Sequence, residues 1–351
     1  MILRELLLLS LSALLPLAAC SPAHLPVHDQ QTAQVVKLPG SGQLLFERPH
    51  AVKPRPLVIW HGLGDSYNSP GILEFIARVQ DMHPGIFVHS IRLAETLDDD
   101  RRATFYGNVN DQVEQVAAQL ANITELVGGF DAIGFSQGGQ FLRAYVERHN
   151  APPVHNLITF GAQHMGIADI PLCRPFDVVC ALARRAALRG AYTDFAQRQL
   201  VQAQYFRDPA RLGDYLAASR FLAAANNERA AERNATYKAH FAGLGKLVLV
   251  LFLKDETVVP KESSWFGAYA VPEDGADALE KTVVPMRLQP LYREDWIGLR
   301  TLDERGAVVL ETCDGEHMVL TDECWQPLVR RFVGGETADP EQADVGLVVQ
   351  M

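Results

Sequence analysis

Gly134-Phe135-Ser136-Gln137-Gly138 is the stretch of this chain whose residue types and spacing most directly imply chemistry. Small residues on both sides of a serine let the backbone double back without Cβ collisions. A serine held at such a strand-to-helix turn is presented as a nucleophile. The amides that open the following helix point at an oxyanion forming beside it. As a bare pattern the stretch is weak, because an ordinary turn also uses glycine. Its setting is stronger: residues 130–135 read as a strand, and residues 137–149 read as a helix that starts at once.

A serine hydroxyl needs a base and an orienting acid. At strand–turn–helix sites these follow in the chain order Ser, acid, His, on loops after later strands. Lys254-Asp255-Glu256-Thr257 follows the apolar run at 247–253, and Cys313-Asp314-Gly315-Glu316-His317 follows the run at 308–312. Asp255 and His317 thus stand where such a mechanism needs them. Glu256 and Asp314 are rival acids, and His164, also behind a strand, is a rival base. His317 is favoured because it follows the final strand, and because a Cys313–Cys324 bond would brace its loop. The second oxyanion amide is expected from His61-Gly62-Leu63-Gly64-Asp65, directly after the strand at 57–60. The backbone N–H of Leu63 would then act beside that of Gln137, with His61 a structural turn residue.

These residues need a scaffold that brings distant loops to one edge. Short apolar runs at 43–46, 57–60, 86–91, 132–135, 157–160, 247–253 and 308–311 read as strands, several of them buried on both faces. Helical patterns lie between them at 72–82, 110–127 and 137–149. In the second, Val113, Val116, Ala117, Leu120, Ile123 and Val127 form one stripe, with Asn110 as the expected N-cap. Alternating strands and helices predict an α/β fold, with a mostly parallel central sheet covered by helices on both faces. From 161 to 245 the rhythm breaks into amphipathic patterns near 178–188, 195–206, 215–225 and 236–244, read as a helical insertion capping the sheet edge. One domain over 43–335 is expected, preceded by a flexible lead-in at 21–42 and followed by a disordered tail at 336–351.

The 351 residues are 48% hydrophobic and 21% charged, enough to bury a large core. A net charge of −10, without a Lys/Arg cluster, argues against a nucleic-acid partner. Residues 1–20 have the layout of a secretory signal peptide, with Arg4, an apolar run at 6–17 and small residues to Cys20. No later run is long and apolar enough to span a bilayer, so the mature chain is expected to lack a transmembrane segment. Leu17-Ala18-Ala19-Cys20 also resembles the lipobox of bacterial lipoproteins. Two N-glycosylation triplets, at Asn122 and Asn234, favour the secretory pathway instead. Beyond Cys20 remain Cys173, Cys180, Cys313 and Cys324, whose spacing suggests two local pairs and not a metal site. No cofactor is expected.

Trp60-His61-Gly62-Leu63-Gly64-Asp65-Ser66, Gly134–Arg143, Phe252-Leu253-Lys254-Asp255, Ser264-Trp265-Phe266-Gly267 and Gly315-Glu316-His317 together resemble the lysosomal palmitoyl-protein thioesterases, from about residue 56 to 334. The resemblance implies an α/β-hydrolase fold and removal of long-chain acyl groups from S-acylated cysteine of proteins or peptides. It places the family's nucleophile on Ser136, its acid on Asp255 and its base on His317. Its oxyanion amides fall on Leu63, where the family more often has Met, and on Gln137. Its short disulfide in the insertion falls on Cys173–Cys180, whereas Cys313–Cys324 rests on spacing alone. The insertion would line a groove for the fatty chain. A lysosomal, vacuolar or secreted location follows. Two other functions remain open: a lipase or carboxylesterase using the same residues on oxygen esters, and an inactive lipid- or protein-binding module.

Overall fold

A computed structural model describes residues 34–37, 44–47, 53–169, 189–272 and 281–335. The expectations for a signal peptide, for a Cys173–Cys180 bond, for the pattern at 178–188 and for the tail at 336–351 lie outside the described residues. So does most of the 21–42 lead-in. The chain divides into one unit up to Val52 and another from Lys53. In the first, β1 (Gln34–Lys37) and β2 (Leu44–Glu47) pair antiparallel as a two-stranded sheet. The strand expected at 43–46 is therefore present one residue later, with a partner that falls inside the stretch read as lead-in.

The second unit is built on a six-stranded, all-parallel sheet. Its strands are β3 (Leu57–Trp60), β4 (Val88–Ser90), β5 (Phe130–Phe135), β6 (Val154–Phe160), β7 (Lys246–Phe252) and β10 (Val308–Cys313). Their order is β10-β7-β6-β5-β3-β4. A further hairpin, β8 (Ala268–Tyr269) with β9 (Val283–Val284), stands apart from this sheet. Side chains alternate across each strand, so each continuous apolar run feeds two cores at once. Val58, Trp60, Ala132, Leu247 and Leu249 face one cluster. Leu57, Ile59, Ile133, Val248 and Val250 face the other. Helices α3 (Val109–Ala121) and α4 (Gln137–Arg148) contribute to the first cluster. Helix α1 (Pro70–Met82) and the C-terminal helix Asp322–Phe332 contribute to the second.

This topology also creates the site. After β3 the chain runs out to edge strand β4 and returns as β5 on the other side of β3. The loops leaving β3 and β5 therefore diverge at their carboxyl ends and leave a crevice there.

Several local expectations shift for identifiable reasons. Asn108, not Asn110, caps α3, its side chain accepting from the Asn110 amide at 2.9 Å. The helix stops at Ala121 and a short 3-10 turn follows, leaving Val127 at 73% exposure outside the stripe. The strand at 86–91 shrinks to Val88–Ser90 because only one side of it has a partner. Each of the two middle insertion patterns breaks into two short helices. Extended Leu200 bridges Tyr106 between Asp194–Gln199 and Val201–Gln204, and Ser219 ends Leu212–Ala218 before Leu222–Ala225. The helix Leu97–Ala103 escaped prediction because one leucine and a charged run carry no apolar period. Asp322–Phe332 escaped it because Pro327 sits inside the helix, a position that proline ordinarily disfavours.

Candidate active site

Ser136 lies between β5 and α4 with φ 51° and ψ −124°, a left-handed value rare for a residue with a side chain. The turn depends on its glycines. A Cβ on Gly134 would lie 2.2 Å from Gly139 Cα, and one on Gly138 would lie 2.3 Å from the Trp60 carbonyl oxygen. The Ser136 amide donates to the Phe160 carbonyl at 2.8 Å, which ties the elbow to β6. Behind it begins α4, whose first amides have no intrahelical acceptor.

The structure brings together the three residues assigned to the chemistry. His317 Nε2 lies 3.0 Å from Ser136 Oγ, and His317 Nδ1 lies 2.7 Å from Asp255 Oδ2. The other carboxylate oxygen of Asp255 accepts from the Thr257 and Val258 amides at 2.8 and 2.9 Å, so the acid cannot rotate freely. Its loop is laced to that of His317: the Leu253 amide donates to the Cys313 carbonyl and the Lys254 amide to that of Gly315. Cys313, at the end of β10, is disulfide-bonded to Cys324 in the C-terminal helix, closing the segment that carries His317. Of the rivals, Glu256 is exposed and Asp314 pairs with Lys254 at 2.8 Å. His164 is buried, stacked on Phe266 at 4.6 Å, with Nε2 3.0 Å from Thr159 Oγ1. Burial, aided by the nearby Arg143 guanidinium, pushes its imidazole well below the usual range.

The 61–65 loop packs on the elbow. A Cβ on Gly62 would stand 3.2 Å from Ser136 Cβ. His61 is buried, its Nε2 3.1 Å from Asp100 Oδ2. Asp100 also accepts from the Leu93, Ala94 and Tyr67 amides. Burial alone would raise its carboxyl, but hydrogen bonds from His61 and from the Tyr67 and Leu93 amides outweigh it and hold the group below the ordinary carboxylate range. Asp100 went unnoticed in the sequence because Asp98-Asp99-Asp100 reads as a solvated run.

Ser136 and His317 open into a cavity of about 920 Å³, within the range that holds small ligands. Its lining is mainly apolar. Leu63, Ile72 and Phe75 contribute from one side, and Phe195, Tyr205 and Phe206 contribute from the insertion. The glycosylation candidates Asn122 and Asn234 are both exposed, the first closing α3 and the second capping the helix Ala235–Ala242.

Helix α4 carries a second buried pair. Arg143 and Glu147 are wholly inaccessible, with Nη1 3.2 Å from Oε1. Arg143 also donates to the His164 carbonyl and to Asn226 Oδ1, and lies over Phe266. Burial pushes the Glu147 carboxyl from 4.5 up to about 7, against the pull of Arg143 and Arg148. Burial likewise takes Asp131 from 3.8 up to about 6 despite Arg55. Both groups hold their proton more tightly in the folded chain than in the unfolded one. The stability they contribute is therefore complete below their unfolded values and is lost as pH rises through about 6 to about 7. His83, His89 and His164, whose imidazoles burial holds down, favour the higher pH instead, so the carboxyl contribution is isolated by comparing the unfolding of the unmodified protein and of Glu147→Gln at pH 5 and pH 7.5. Between those two pH values the change in stability of Glu147→Gln should favour the higher pH by roughly 1–3 kcal/mol more than that of the unmodified protein does. A Glu147→Gln protein with the same pH dependence as the unmodified one would contradict the assignment.

Residues 56–317 match the family described as Palmitoyl protein thioesterase. Palmitoyl-protein thioesterase 1 of Caenorhabditis elegans is 41% identical over 270 residues, covering 77% of this chain and 88% of the relative. Palmitoyl-protein thioesterase 3 of Dictyostelium discoideum is 34% identical, covering 77% and 88%. Lysosomal thioesterase PPT2 of Bos taurus is 32% identical, covering 74% and 80%. The shared segment spans β3 to His317, so it includes both the sheet and the serine–histidine–aspartate cluster at its edge, and the chain belongs to the palmitoyl protein thioesterase family.

Proposed function

We propose that this protein is a serine hydrolase that removes long-chain fatty acyl groups from S-acylated cysteine, as a palmitoyl-protein thioesterase. One observation carries the reading: a hydrogen-bonded Ser136–His317–Asp255 chain opens into a large apolar cavity. Asp255 accepts a hydrogen bond from Nδ1–H and so leaves the Nε2 lone pair facing Ser136 Oγ. Oγ attacks the thioester carbonyl carbon while Nε2 takes the hydroxyl proton. The oxyanion is held by the N–H groups of Gln137 and Leu63. Collapse expels the cysteine thiolate, which, with a pKa of about 8.5, leaves with little help from an acid and then takes up the Nε2 proton, returning His317 to its neutral form. A water deprotonated by His317 then attacks the acyl-enzyme, freeing the fatty acid and restoring the serine.

Oxygen esters fit the same steps, so the leaving group does not by itself set the specificity. The cavity does. Twelve extra methylenes at about 0.8 kcal/mol each set an upper limit near 10 kcal/mol between a four-carbon and a sixteen-carbon acyl chain. We expect kcat/KM for a palmitoyl thioester to exceed that of the butyryl thioester by about 10³-fold or more, part of the limit being lost at the open rim. Assays with acyl thioesters of both lengths, and with the matched palmitoyl oxygen ester, test this. Equal rates on both chain lengths would remove the acyl-cavity reading, and a clear preference for the oxygen ester would favour a lipase or carboxylesterase. The proposed partners are S-palmitoylated proteins or peptides. The proposed setting is a lysosome or vacuole, with secretion as the alternative. It is supported by relatives named as lysosomal thioesterases. Cleavage of residues 1–20, a Cys173–Cys180 bond and glycans on Asn122 and Asn234 belong to the same reading.

A further inference from the structure

The two amides assigned to the oxyanion come from different loops, and something must hold them in register. Thr104, 1% exposed at the end of the helix Leu97–Ala103, bonds to a neighbour of the first amide and to the side chain of the residue that carries the second. Its Oγ1 accepts from the Gly64 amide at 2.8 Å, one peptide beyond Leu63, and donates to the Arg101 carbonyl at 2.7 Å. Its carbonyl accepts from Gln137 Nε2 at 3.1 Å. The same carbonyl accepts from Gln202 Nε2 at 3.0 Å, and Tyr205 Oη donates to Gln137 Oε1 at 3.1 Å. Gln202 and Tyr205 belong to the insertion and line the cavity.

We propose that Thr104 is the positioning residue of the oxyanion hole, fastening the Leu63 and Gln137 loops to each other and, through Gln202 and Tyr205, to the wall of the acyl cavity. The inference rests on the function proposed above. A threonine hydroxyl can donate once while accepting, which matches its two partners; a valine of the same shape can do neither. Gly64 has φ +75°, so this loop is a tight turn whose amide direction depends on its partner. Without it, the loop is free to relax and carry the Leu63 amide away from the reacting oxygen. The loss would fall on the transition state, since the ground-state carbonyl needs the hole less.

The test compares Thr104→Val, Thr104→Ser and Gln137→Met with the unmodified protein, on a palmitoyl thioester and on binding of two probes. One probe is a long-chain alkyl trifluoromethyl ketone, which adds Ser136 Oγ to its carbonyl and places an oxyanion in the hole. The other is palmitate, which fills the cavity without forming a tetrahedral oxyanion. Thr104→Val is expected to lower kcat about 10- to 100-fold with KM within about twofold, and to weaken the ketone by the same factor while sparing palmitate. Thr104→Ser should restore the wild-type values. Gln137→Met attacks the other arm, and Thr104→Val/Gln137→Met should cost less than the product of the single effects, because both act on one hole. A folded Thr104→Val protein with unchanged kcat and ketone affinity would overturn the proposal. So would parallel weakening of ketone and palmitate, which indicates a collapsed cavity. If Thr104→Val does not fold, Gln137→Met decides by the same criteria. An unmodified protein that neither hydrolyses the thioester nor binds the ketone overturns the function itself, and this inference with it.

Discussion

Ser136→Ala is expected to lower kcat on a palmitoyl thioester by about five orders of magnitude while leaving the protein folded. The expectation follows from the position of the hydroxyl. It is the atom 3.0 Å from His317 Nε2, at the mouth of the cavity, on an elbow whose amide and following helix do not involve the side chain. Removing Oγ leaves the amides, the cavity and the His317–Asp255 pair, so binding of palmitate should persist. Only the acyl-enzyme is lost. Covalent labelling by a long-chain alkyl sulfonyl fluoride, which reports the activated serine directly, should disappear with it. A Ser136→Ala protein that hydrolyses palmitoyl thioester at the unmodified rate would remove the serine mechanism. Absence of both hydrolysis and labelling in the unmodified protein would instead favour an inactive lipid- or protein-binding module.

The largest effect on folding is expected from Gly138→Ala. The added Cβ would fall 2.3 Å from the Trp60 carbonyl oxygen and 2.6 Å from that of His61. Both are backbone atoms at the end of β3, so no side chain can swing aside. Relief requires α4 to move away from the sheet, across a core in which Trp60 packs edge-on against Phe141 at 5.5 Å. Overpacking that displaces backbone costs about 3 kcal/mol or more. That is a large share of the 5–15 kcal/mol typical of a folded protein. Gly138→Ala should therefore accumulate poorly in soluble form, or melt about 5 °C lower or more. Its activity should fall further than its stability, because the same shift separates the 61–65 loop from the elbow. Gly213→Ala is the control: a Cβ there meets nothing within 4 Å, so Tm should stay within a degree or two of the unmodified value. A Gly138→Ala protein as stable as the Gly213 control would show that the elbow tolerates a side chain where the packing says it does not.

Much of this architecture is legible locally. The apolar runs at β3, β5, β6 and β7 announce strands buried on both faces, because a strand with a core on each side has no room for polar alternation. The glycines around Ser136 announce close backbone approach, which glycine alone permits. Elements without such a pattern were missed or misplaced. The helix Leu97–Ala103 has no apolar stripe, Asp322–Phe332 contains a proline, and α3 takes Asn108 as its cap when Asn110 lies only two residues away.

The order of elements, the elbow and the positions of an acid and a histidine after later strands were determined by the sequence itself, since each depends on residues within a few positions of one another. Apart from the family resemblance, which histidine faces the serine and which acid backs that histidine was decided only in three dimensions. Asp255 and Glu256 are neighbours of like chemistry, and His164 and His317 both follow strands. What separates them is the hydrogen bond across 181 residues that joins Ser136 to His317. Asp100 under His61 and Thr104 between the two amide loops belong to the same class. A carboxylate or hydroxyl carries no sequence mark of its future partner, because that partner is chosen by how the sheet stacks its strands and not by the chain on either side of the residue.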